Sequence, residues 1–98
     1  MLKVEKKFCV NSWDIEREWP EENFDICSMP FAEMAENDSY ISFDCSHKHL
    51  KDLEWYRFDW QNYPQRVEKI DAEIALWHKL RDEAGFEETD EVLIYISW

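Results

Sequence analysis

Hydrophobic and polar positions recur along this chain with one long helical period and several short alternations. Between Pro64 and Gly85, the residues Val67, Ile70, Ile74, Trp77 and Ala84 fall on one stripe at about 100° per residue. That spacing predicts a helix of about five to six turns. Its ends carry agreeing signals: Asn62 as a cap, Pro64 in a first turn that needs no amide donor, and Gly85 as a left-handed stop. Leu76 and Ala72 read as the opposite side, a secondary contact or an exposed position. Arg66, Lys69, Lys79 and Arg81 against Glu68, Asp71 and Glu73 read as a nearly balanced outer face, with Arg81 snorkelling or capping carbonyls in the last turn.

Elsewhere the period is two. Leu2, Val4, Phe8 and Val10 alternate with polar residues, as do Ile41, Phe43 and Cys45 within Tyr40 to Cys45. Tyr56, Phe58 and Trp60 alternate with Arg57 and Asp59 in a strand predicted from Leu53, and Phe24 to Ser28 is a further short strand. Val92, Ile94, Ile96 and Trp98 interleave with Leu93 and Tyr95, so both faces are apolar and this last strand belongs in the middle of a sheet. Asn11 and Ser12 offer caps for a short helix over Trp13 to Trp19, although Trp13, Ile15 and Trp19 fit a strand nearly as well. Pro30 opens a second short helix to about Glu36, with Phe31, Met34 and Ala35 inward. The order predicts one α+β domain over residues 1–98: a mostly antiparallel sheet of four to five strands with the long helix, about 64–84, packed on one face.

Composition narrows the function. The chain has 98 residues, 45% of them hydrophobic and 16% aromatic, so one core is well supplied and the six Trp are not all expected inside it. A net charge of -12, from 23 acids and 11 bases, opposes direct nucleic-acid binding and adsorption to anionic membranes. The longest apolar run, Val92 to Ile96, is far short of the ~20 residues that cross a bilayer. Met1 to Phe8 lacks the apolar core of a secretory signal, and three cysteines, an odd number, fit a reducing compartment; the expectation is a cytoplasmic protein.

The acidity is concentrated. Asp14 to Asp38 holds nine acids and one base, and Asp82 to Glu91 holds six acids and none, while the remainder of the chain is +2. If the two segments meet, they form an anionic patch able to steer a basic partner. Glu16, Glu18, Glu21, Glu22, Glu87 and Glu88 are the expected contacts, with Trp19 as an aromatic anchor inside a charged rim; the alternative is that Trp13 and Trp19 are core residues and the charge serves solubility.

Catalytic signals are absent. One Gly cannot build a phosphate-cradling loop, and carboxylate pairs carry no information in a chain with 23 acids. Cys45, His47 and His49 stand at i, i+2 and i+4 and share one side if the strand continues through His49, which makes them candidate zinc ligands. No resident metal or cofactor is expected on the leading reading. That reading is a small acidic binding protein, not an enzyme, that inhibits or sequesters a basic nucleic-acid-processing partner, such as a nuclease or nucleic-acid-binding complex, by phosphate mimicry. Immunity proteins, antitoxins and phage anti-defence or anti-CRISPR proteins work in this style. The alternative is a metal-binding or accessory subunit using Cys45, His47 and His49, whose acidity serves only solubility. Oligomeric state is not legible in the sequence.

Overall fold

Glu91–Ile96, here β3, is the strand on which the fold is assembled. Val92, Ile94 and Ile96 are fully buried and Leu93 and Tyr95 half-buried, so both of its faces are covered. Both of its edges are paired as well. The structure is a computed structural model that describes residues 9–22 and 24–96. Among these residues the sheet has three strands in the order β1, β3, β2. The strand β1 (Cys9–Asn11) runs parallel to β3, with Val10 beside Ile94, and β2 (Ser39–Asp44) runs antiparallel to it, with Phe43 beside Val92 and Ile41 beside Ile94.

The fold is α+β, but its architecture corrects the expectation of four to five mostly antiparallel strands carrying one long helix. Among the described residues, two further α-helices, α1 (Ser12–Glu18) and α2 (His47–Asp59), and three short 3-10 turns precede the long helix α3 (Pro64–Asp82). Phe24 to Ser28, expected as a strand, contains a 3-10 turn at Ile26–Ser28. The helix expected from Pro30 to about Glu36 is a single 3-10 turn, Pro30–Ala32; Ala32 is its buried residue, while Met34 is 87% exposed. The alternation of Leu2, Val4 and Phe8 and the position of Trp98 lie outside the described residues.

The largest correction is α2, which replaces the strand expected from Leu53 to Trp60. No β-branched residue occurs between His47 and Asp59 to favour extended backbone. The Ser46 hydroxyl accepts from the His49 N–H at 3.2 Å and so starts the helix, while the Asp44 carboxylate holds the Ser46 N–H at 2.8 Å. Leu53 then faces inward, with Leu50 half-buried beside it, while Trp55 and Phe58 face solvent.

In α3 the buried stripe is Ile70, Glu73, Leu76, Trp77 and Leu80 rather than the series through Val67, Ile74 and Ala84, which are half-buried. Leu76, expected on the far side, is fully buried and joins Trp77, Leu80, Phe43 and the inner face of β3 in the main core. Full burial of each Leu is worth roughly 1.5–3 kcal/mol. Tyr63, not Asn62, occupies the cap position, and it makes no side-chain cap bond. The stop is as expected: Gly85 takes φ +81°, and the Phe86 N–H turns back to the Leu80 carbonyl at 3.0 Å, which delivers Phe86 into the core.

Candidate functional site

The two acidic segments meet at the C-terminal end of α3. Lys79 Nζ lies 3.2 Å from Glu22 Oε1 and 3.0 Å from Glu83 Oε1, so one ammonium joins a carboxylate from each segment. The Lys79 bond, reinforced by a hydrogen bond from Trp19, holds the Glu83 carboxyl below its ordinary value. Arg81 leaves α3 about 200° around the axis from Lys79. There its Nη1 donates to the Cys45 carbonyl at 3.1 Å and approaches Glu88 Oε2 at 3.5 Å, with the guanidinium 5.2 Å from the Trp77 ring centroid. Thus carboxylates flank the helix end on both sides.

Glu88 is also the anion at the start of α2. Its Oε1 accepts the His47 N–H at 2.9 Å, and its Oε2 contacts His47 Nδ1. A carboxylate at a helix N-terminus satisfies an orphan amide and meets the positive end of the dipole. The His47 amide is the main reason that the Glu88 carboxyl lies below its ordinary value.

Placement sorts the expected contacts. Glu21 and Glu22 are exposed on the 3-10 turn Pro20–Glu22, and Glu87 is exposed beyond Gly85. Glu18 is half-buried. Glu16 is also half-buried and spends Oε1 on the Ile26 N–H at 3.1 Å, which caps the turn that follows. Trp19 is only 8% exposed and packs edge-to-face on Phe24 with centroids 6.1 Å apart. Its side chain belongs to the core, and this corrects its reading as a surface anchor. Sequence alone left both places open because a Trp amid carboxylates can seal a core edge as readily as an interface.

Cys45, His47 and His49 do not line one side. The strand ends at Asp44 and α2 begins at His47, so the period changes between them. Cys45 is fully buried, with burial the largest cause pushing its thiol up to about 12. His47 turns outward to Glu88, whereas His49 turns inward to Glu73. Among the described residues no group of three or more His, Cys, Asp or Glu side chains is placed to hold a metal ion.

Sequence reasoning missed Glu73, which it assigned to the outer face of α3. It is 1% exposed. Its Oε1 accepts the Phe31 N–H at 2.9 Å and its Oε2 lies 3.2 Å from His49 Nε2. That nitrogen makes no aligned hydrogen bond, so the contact is one of proximity rather than direction. The spacing Ile70, Glu73, Trp77 and Leu80 at i, i+3, i+7 and i+10 was the available signal. A carboxylate at i+3 disguised it.

The aromatic content reaches the surface elsewhere. Trp55, Tyr56, Phe58, Trp60 and Tyr63, along α2 and the turn into α3, are all exposed. Between the two helices a cavity of about 360 Å³ is walled by Tyr56 and Trp60 and floored by Leu53 and Ile70. Arg66 crosses it, bonded to Glu33 at 2.6 Å and 5.4 Å from the Trp60 centroid. Among the described residues no helix is long and apolar enough to cross a membrane. Compared with protein-family models, curated proteins and solved structures, the chain matches none.

Proposed function

We propose that the protein binds and inhibits, or sequesters, a basic partner, a nucleic-acid-processing protein whose phosphate-binding Lys and Arg its carboxylates occupy. The observation that carries this reading is the pairing of its arginines and of Lys79 with its own carboxylates. All four arginines are already committed: Arg17 to Asp14 at 2.6 Å, Arg57 to Asp71 at 2.5 Å, Arg66 to Glu33, and Arg81 to Glu88. Lys79 is shared by Glu22 and Glu83. With 23 acids against 11 bases, internal pairing leaves a large excess of carboxylate for cations supplied from outside. Glu21, with Glu87 beyond the helix end and with Glu22 and Glu83, which share the single Lys79 and so keep a net negative charge between them, forms the contact surface; Glu16 and Glu88 act mainly within the fold.

The reading is tested by affinity capture from lysate with and without nuclease, followed by binding measurements across salt. A basic protein retained after nuclease treatment is expected, with affinity falling steeply between roughly 0.05 and 0.5 M salt because exposed charges are screened. The double reversal Glu21→Lys and Glu22→Lys is expected to weaken binding at least tenfold. A partner held equally tightly at high salt, or unaffected by the reversal, defeats phosphate mimicry.

A further inference from the structure

The outer face of α2 carries a pattern that the fold does not use. Lys48, Lys51, Trp55 and Phe58 are all exposed, Trp55 at 60% and Phe58 at 68%. They recur at i, i+3, i+7 and i+10, the spacing of a coiled-coil seam. The opposite face of the helix, through Leu50 and Leu53, is already spent on the interior. Neither Lys48 nor Lys51 has an ion-pair partner among the described residues. Two large aromatics standing outward on one short helix form the kind of apolar patch that marks an interaction surface.

What covers it follows from the asymmetry of the seam, whose N-terminal half is two lysines and whose C-terminal half is two aromatics. We propose that this face binds a second copy of the chain, with the two α2 helices antiparallel about a two-fold axis that crosses the outer face midway between Lys51 and Trp55. Lys51 of one copy then lies opposite Trp55 of the other, and Lys48 opposite Phe58. Each aromatic half meets a lysine half, so ammoniums sit over ring faces while the lysine stems cover the ring edges. Lys48 and Asp59 are eleven residues apart, within about 20° of each other around the helix. The same pairing therefore brings Lys48 beside Asp59 of the other copy. Parallel pairing would set lysine against lysine.

Net charge points to the same face. Helix α2 carries Lys48, Lys51 and Arg57 against Asp52, Glu54 and Asp59 and is neutral, on a chain of net charge -12. Two copies that meet there bring no net charge of the helix itself to the contact. A 13-residue helix is about 20 Å long, and its seam alone falls short of the ~1,200 Å² of a strong interface. The dimer is therefore weak and concentration-dependent. Salt strengthens it by screening the repulsion between two negatively charged chains, the opposite of its effect on a basic partner. The surface is distinct from the carboxylates of the proposed function, and either can fail without the other.

Sedimentation velocity on the full chain, from about 10 μM to about 1 mM, tests the proposal. The mass is expected to rise from 12.1 kDa toward twice that value, and further at high salt. Lys51→Glu is expected to weaken self-association at least tenfold, while Lys51→Arg preserves it. The exposed double variant Trp55→Ala and Phe58→Ala, checked for unchanged helicity, is expected to remain monomeric. A single 12.1 kDa species at every concentration and salt overturns the proposal. So does a double variant that associates as strongly as the parent, or a monomer that uses this face to bind a different protein.

Discussion

Replacing Glu73 probes the least expected feature of the interior. The carboxylate is 1% exposed, accepts the Phe31 N–H at 2.9 Å and faces His49 Nε2 at 3.2 Å. Glu73→Ala strands the Phe31 amide, at a cost of about 1–3 kcal/mol for an unsatisfied donor. It also empties volume beneath the turn Pro30–Ala32, and a truncation of this size in a core costs about 2–5 kcal/mol when the site does not collapse. One effect moderates the loss: the carboxylate no longer pays for desolvation. The net expectation is a loss of about 3 kcal/mol. Glu73→Gln keeps an acceptor for Phe31 and nearly the same volume, and is expected to lose only about 1 kcal/mol. Glu73→Met fills the volume but strands the amide, and falls between them. Urea unfolding monitored by circular dichroism measures the series. For a chain of this size, 1 kcal/mol corresponds to roughly 4–8 °C in Tm, so the Ala variant should be conspicuous in a thermal scan. A Glu73→Ala protein within about 0.5 kcal/mol of the parent would refute the reasoning. Equal losses for Gln and Ala would show that charge, rather than the bond to Phe31, is what matters.

Two further expectations follow from titratable groups. Burial first, opposed by Arg81 and aided by Asp44 and Asp90, moves the Cys45 thiol from its ordinary 9.0 to about 12. In a Cys9→Ser and Cys27→Ser background, Cys45 should react with a disulfide reagent at pH 8 about a thousandfold more slowly folded than unfolded, and equal rates would contradict its burial. The Glu88 carboxyl lies below its ordinary 4.5 chiefly because the His47 amide donates to it. Its contribution to stability is thus present above pH 4.5 and is lost as pH falls through the lower folded value. Carboxyl NMR should show Glu88 titrating below its ordinary 4.5, with the His47 amide signal following it; a midpoint at or above 4.5 would remove Glu88 as the anion at the start of α2.

Features encoded by near neighbours were legible. Pro64 and Gly85 bracket α3 because each imposes a backbone conformation without help from distant residues. The interior place of β3 was readable because apolar residues on both faces leave no side for water. The alternation of Ile41 and Phe43 with Ser42 and Asp44 marked β2 as a strand with one inner face. Where packing decided, reading failed. Tyr56, Phe58 and Trp60 recur every two residues, and only the completed fold shows that Leu53 is the side chain of α2 that it buries while Trp55 and Phe58 face outward.

The candidate site divides along the same line. Sequence by itself determined the quantity and the segmental position of negative charge, since ionisation at neutral pH is a property of residue type. Only the tertiary structure decided what each carboxylate is available to do. It joined Glu22 to Glu83 through Lys79, set Glu88 on the α2 terminus and Glu16 on a 3-10 turn, and buried Glu73 against Phe31. It also drew Trp19 into the core and left Trp55 outside. The physical reason is that the free energy of a polar or aromatic side chain depends on the partner it meets, and those partners come from segments tens of residues away.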